Sequence, residues 1–142
     1  MATYIQTKIF NALATKLAAL TFSPALPIAW PNVNFTPPDA NTGYIRAQLF
    51  PATSEQATLG TGGQNRHTGI FQVDVIWPEN QGLTAPTEKA GAIADHFKRG
   101  TLLTTDSIAL RIDQPPLVRG IIVDGGTIQI PIDVRYTVDA SN

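Results

Sequence analysis

The 142-residue sequence has no cysteine, which excludes a disulfide framework, a thiolate zinc site and a cysteine nucleophile. Histidine is nearly absent too, with only His67 and His96. Charge is scarce and balanced: charged residues make up 15% of the chain, and the formal net charge is −1. No specific nucleic-acid binding is therefore expected on electrostatic grounds. No run approaches the ~18 consecutive apolar residues of a membrane span, so no membrane partner is expected. Met1–Phe10 lacks the basic region and long apolar stretch of a secretion signal. The expected place of synthesis and assembly is the cytoplasm.

What is present is a folding composition. Hydrophobic residues reach 43%, enough for a core and too many for a disordered chain. The length suits one domain, residues 1–142. With so few charges, more of the surface is neutral than usual, as suits a subunit packed against others.

Ile5, Ile9, Leu13, Leu17 and Leu20 recur at three- and four-residue spacing and predict an amphipathic helix over Ala2–Leu20 that faces the core. Leu26–Pro38 is apolar and proline-rich, which excludes helix and central strand but permits an extended edge segment. Trp30, Val33 and Phe35 within it are expected to cover the end of the core or to project as contacts. Alternation predicts strands over Tyr44–Ala52, Thr68–Trp77, Ser107–Ile112 and Thr127–Val138. In the last, Ile128, Ile130, Ile132, Val134, Tyr136 and Val138 share one face. Asp124-Gly125-Gly126 predicts a tight hairpin back to Gly120–Val123. A second helix is expected over Pro86–Arg99, with Thr84 as cap, Gly100 as the left-handed exit, and Ala90, Ile93, Ala94 and Phe97 buried. This order implies an α+β fold: a largely antiparallel, mixed sheet with two helices packed on one face.

Between the first two long strands lies Thr53–His67, TSEQATLGTGGQNRH. Gly60, Gly62 and Gly63 weigh against a single fixed conformation, and connections of this length are commonly functional. The segment reads as a long mobile loop that orders on a partner, with Leu59 as apolar anchor and Arg66 as charged contact.

No catalytic constellation emerges. His96 falls near the polar side of its helix and is expected to be solvated. The Gly60–Gly63 stretch leads into a strand rather than a helix and lacks the lysine of a phosphate loop. Asp74 and Asp133 are expected as solvent-facing strand carboxylates, and Asp124-Gly125-Gly126 supplies one carboxylate where a calcium loop needs several. No enzyme activity, metal or cofactor is expected.

Ile28–Pro38 (IAWPNVNFTPP), Thr68–Gly82 (TGIFQVDVIWPENQG), Lys89–Thr101 (KAGAIADHFKRGT) and Ile130–Val138 (IPIDVRYTV) together resemble the tail terminator and tail completion proteins of long-tailed bacteriophages. The resemblance spans about Ile5 to Val138. It implies a small α+β virion protein at the head-proximal end of the tail. Such a protein forms a hexameric ring, a homo-oligomer that stops growth of the tail tube and presents the surface for the head completion or connector protein. The tail tube protein is thus an implied partner, and no cofactor is implied. On this reading Leu59, Asn65, Arg66 and His67 are candidate contacts to the tube or to a neighbour. Arg46, Arg111 and Arg135 are candidate inter-subunit or lumen-facing charges. The alternatives are a head–tail connector, a head completion protein or a sheathed-tail completion protein of the same neck. A further alternative is a sugar- or peptide-binding module using Trp30, Trp77 and Tyr44 as a stacking platform.

Overall fold

The computed structural model describes residues 4–22, 25–37, 43–58, 63–105 and 107–141. The first apolar stripe folds as helix α1 (Ile5–Ala18), and Ile5, Ile9, Leu13 and Leu17 are all buried. No side chain caps it at Tyr4 and no acidic residue stands in its first turn, so burial of the stripe holds it. The expected first residues, Ala2 and Thr3, lie outside the described residues. Helix α2 (Thr84–His96) buries Pro86, Ala90 and Ile93, with Phe97 buried just beyond it. Thr84 is not its cap: Leu83 takes the N-cap position without a side-chain hydrogen bond. Gly100 adopts the expected positive φ, +93°.

Among the described residues, eight strands form one mixed sheet. They are β1 (Ile28–Ala29), β2 (Tyr44–Gln56), β3 (Gln64–Pro78), β4 (Leu102–Thr105), β5 (Ile108–Arg111), β6 (Leu117–Val118), β7 (Ile122–Asp124) and β8 (Thr127–Ser141). The order is β1-β2-β3-β8-β5-β4, with β6 and β7 also pairing β8. Only β1 runs parallel to its neighbour, and this edge strand comes from the proline-rich segment. Strands β4 and β6 are short and were not separable by alternation.

Period-two alternation sorts the sheet into two faces. Ile45, Ala47, Phe71, Val73, Val75, Ile130, Ile132 and Val134 point toward α1 and α2 and form the core with them. Three local devices fit the sequence to this sheet. Gly125 and Gly126, at φ +51° and +91°, close the β7–β8 hairpin as a two-residue turn, the glycine-favouring geometry that matches strand twist. Pro51 sits beside the register shift between Pro51 and Thr53, beyond the two residues of β2 that β1 covers; an edge position tolerates a residue that cannot donate. Pro131 lies in the middle of β8, and its carbonyl accepts from the Arg119 N–H at 2.8 Å. Its own missing N–H therefore faces the gap between β6 and β7, where the flanking strand is interrupted.

The expected loop over Thr53–His67 is mostly strand. Thr53 pairs with Thr68, Ser54 with His67, Glu55 with Arg66 and Gln56 with Asn65. The threonines fit a pleated surface, and the Thr53 and Thr68 hydroxyls lie 2.7 Å apart as a cross-strand hydrogen bond. The connection shrinks to residues 57–63, and Leu59 lies outside the described residues.

Candidate assembly surfaces

The sheet face turned away from the helices carries an arginine–carboxylate network, because β2, β3, β5 and β8 each place polar residues at alternate positions there. Arg46 and Asp74 stand opposite each other on β2 and β3. Arg46 Nε and Nη2 donate to Asp74 Oδ2 at 3.2 and 3.1 Å, and the Gln72 amide donates to Oδ1 at 2.9 Å. Gln72 Oε1 in turn accepts from Arg119 Nη2 at 3.2 Å, and Arg119 holds Asp133 through Nε at 3.1 Å. Asp74 is 0% exposed and Asp133 is also buried. The expectation of solvent-facing carboxylates is thus corrected: both are desolvated and neutralised by arginine, as a buried charge requires.

A second cluster lies toward the far ends of β3 and β8. Arg66 Nε donates to Asp139 Oδ1 at 2.9 Å and Arg111 Nη1 donates to Oδ2 at 3.2 Å, while Arg111 Nε also lies 3.6 Å from Asp113. The hydrogen bond from Arg66, more than that from Arg111, holds the Asp139 carboxyl below its usual range, and the same pairing raises Arg66. Arg135 has a different partner: its Nη1 donates to Gln114 Oε1 at 2.8 Å, and the side chain is exposed. Together with Thr68, Thr137 and Asp113 it borders a groove of about 370 Å³. Arg46, Arg66, Arg111 and Arg135 therefore share one face, as the strand alternation requires.

His67 does not join them. It is 4% exposed on the helix-side face, where Ser54 Oγ lies 2.9 Å from its Nδ1. Asn65 is half-buried on that same face. The expected grouping of Asn65, Arg66 and His67 as loop-tip contacts is divided by the pleat, which sends neighbouring residues to opposite sides. His96 also departs from expectation. It is half-buried, and its Nε2–H donates to the Lys16 carbonyl at 2.5 Å, joining the C-terminal ends of the two helices.

The residues missed from sequence are aliphatic. Leu117, Val118, Ile121, Ile122 and Val123 are 40–60% exposed along β6, β7 and the link between them. Five exposed large aliphatics within seven residues are more than the scattered singles of an ordinary surface. The signal was the run LVRGIIV itself, read only for its hairpin turn.

The proposed stacking platform does not form. Trp30 packs edge-on against Phe10 at 6.3 Å, Tyr44 lies against Phe35 at 5.0 Å, and Trp77 lies over Gly43. No group of metal-ligating side chains occurs among the described residues, and none of their helices is long and apolar enough to cross a membrane.

A helix-backed mixed sheet with a neutralised polar face and an aliphatic flank defines a small α+β protein. The class is made definite by the sequence itself: residues 8–136 match the phage tail terminator protein family, and the chain belongs to it. It is a structural protein of the phage tail. A solved structure 28% identical to it, with 99% of both chains covered, superimposes with a TM-score of 0.78. No curated protein matches the sequence.

Proposed function

We propose that this chain terminates the tail by assembling as a ring on the head-proximal end of the tube, where it blocks further subunit addition and presents the head-joining surface. The observation that carries the reading is the family match over residues 8–136. The exposed aliphatics of β6 and β7 support it, because contiguous exposed apolar residues mark interaction surfaces and a ring brings unlike faces of neighbouring subunits together. In this reading Leu117–Val123 packs against a neighbouring subunit. The arginine face is arranged to survive burial in that interface, since its charges are already paired. Leu59, Asn65, Arg46, Arg66, Arg111 and Arg135 remain proposed contacts, whereas His67 acts from inside the fold.

The test is a tube-length assay. Purified chain added to polymerising tail tube protein should shorten the tubes in proportion to its concentration, and electron microscopy should show a ring at one end. The Ile122→Asp variant should keep its circular dichroism spectrum and lose capping at least tenfold. Capping by Ile122→Asp at the level of the unaltered chain would remove the aliphatic strip from the interface.

A further inference from the structure

The first turn of α1 packs over the β2–β3 hairpin arms, and a cavity of about 280 Å³ lies between them, bordered by Tyr4, Gln6, Ser54, Gln56, Asn65 and His67. Within its lining His67 is buried, whereas Tyr4, Ser54 and Gln56 are exposed. Ser54 occupies Nδ1 of His67, while Nε2 is buried and bonds no group among the described residues. The Gln6 Oε1 atom is buried in the same condition. Above them the helix opens with N–H groups of Ile5, Gln6 and Thr7 that have no intrahelical acceptor, since the first helical bond runs from Lys8 to Tyr4 at 3.1 Å. Tyr4 provides no side-chain cap, and the first turn has no acidic residue.

We propose that this cavity binds a carboxylate, supplied by an acidic side chain of a neighbouring protein in the tail; this assignment of the source rests on the tail-terminator reading. With the Ser54 hydroxyl donating to Nδ1, His67 presents Nε2–H as a donor. The Gln6 amide turned about its last bond presents N–H₂ beside it, and the helix N-terminus adds backbone donors and the positive end of its dipole. Three kinds of donor then border one cavity, and the one carboxylate among its described lining residues is that of Glu55. Glu55, on the rim, stands opposite Arg66 on the other face of the sheet. The buried polar atoms that are a liability in the free chain become satisfied when the carboxylate seats.

The test uses the isolated full chain and sodium acetate as probe, with sodium chloride at equal ionic strength as control. Acetate should shift the His67 ring nitrogens and the Ile5–Thr7 amides saturably in NMR spectra, and chloride should not. Gln6→Glu places a carboxylate in the site from the chain itself. It should abolish the acetate response and raise Tm above that of Thr7→Glu, which gains only the dipole interaction. Unshifted His67 resonances in acetate, or an undiminished acetate response in Gln6→Glu, would overturn the site. This part stands or falls independently of tail termination. In the phage, Gln6→Glu should give defective particles where Thr7→Glu gives normal ones. Normal particles with Gln6→Glu would overturn the assignment to a neighbour's side chain.

Discussion

Arg46 and Asp74 show how much one residue on this sheet depends on its partner. Asp74 is fully buried while Arg46 retains partial contact with water, so Arg46→Ala strands a carboxylate with only the Gln72 amide to hold it. Removing one member of such a pair costs about 3 kcal/mol, and urea unfolding should show that loss. The double variant Arg46→Met, Asp74→Leu should recover most of it, because no buried charge is left behind. Tyr136 makes the opposite case. Its hydroxyl is buried and bonds nothing among the described residues, and burial pushes its pKa up to about 12 from 10.0. The folded state thus holds the phenol proton more tightly than the unfolded state. Tyr136 contributes full stability below pH 10, and the contribution is lost as pH rises from about 10 to about 12. Tyr136→Phe should flatten that alkaline slope while changing neutral stability little. At the acid end, Asp139 is held below the ordinary carboxylate value of 3.8 by Arg66, so its contribution is complete above about pH 4 and falls away as the pH drops below. Asp139→Asn should remove that acid slope from a pH series of thermal melts.

At the scale of elements, close approach rather than propensity decides where glycine is required. A Cβ on Gly69 would run into the Tyr136 hydroxyl and stand 2.7 Å from the Phe50 carbonyl. Gly69→Ala should therefore cost on the order of 2 kcal/mol, and adding Tyr136→Phe should restore only part, because the Phe50 carbonyl belongs to the backbone. Both helices, the long strands and the β7–β8 turn were legible in the sequence, since each announces itself by a period of 3.6 or 2 or by paired glycines. The distal arms of β2 and β3 were not. Thr53, Ser54, Gln64 and Asn65 are polar on both faces there, so alternation carries no signal and glycine content dominates the reading. What makes them strand is pairing: β3 pairs with β8 along its full length and with β2 from Asn65 to Ile76. The same pairing explains the reassignment of His67, since its side follows from register with Val138 rather than from its neighbours in sequence. The shared face of Arg46, Arg111 and Arg135 could be anticipated; the burial of Asp74 and Asp133 among them could not, because it depends on the cross-strand register that sets Arg46 opposite Asp74 and on Arg119 reaching Asp133 from the link between β6 and β7. The His96 bond to the Lys16 carbonyl joins residues 80 positions apart and has no local signature.

The whole molecule has two unlike surfaces, a polar sheet face of matched charges and an aliphatic flank along β6 and β7. A subunit with unlike surfaces associates front to back, and such contacts close into a ring when the rotation per subunit permits. The low charge of the chain fits the same account, since little has to be desolvated when these surfaces meet. The central claim is that the chain ends tail growth. Electron microscopy of particles produced by the phage after disruption of this gene tests it most directly. Tail tubes well beyond normal length, beside DNA-filled heads without tails, are the predicted result. Tails of normal length, whether free or joined to heads, would contradict it.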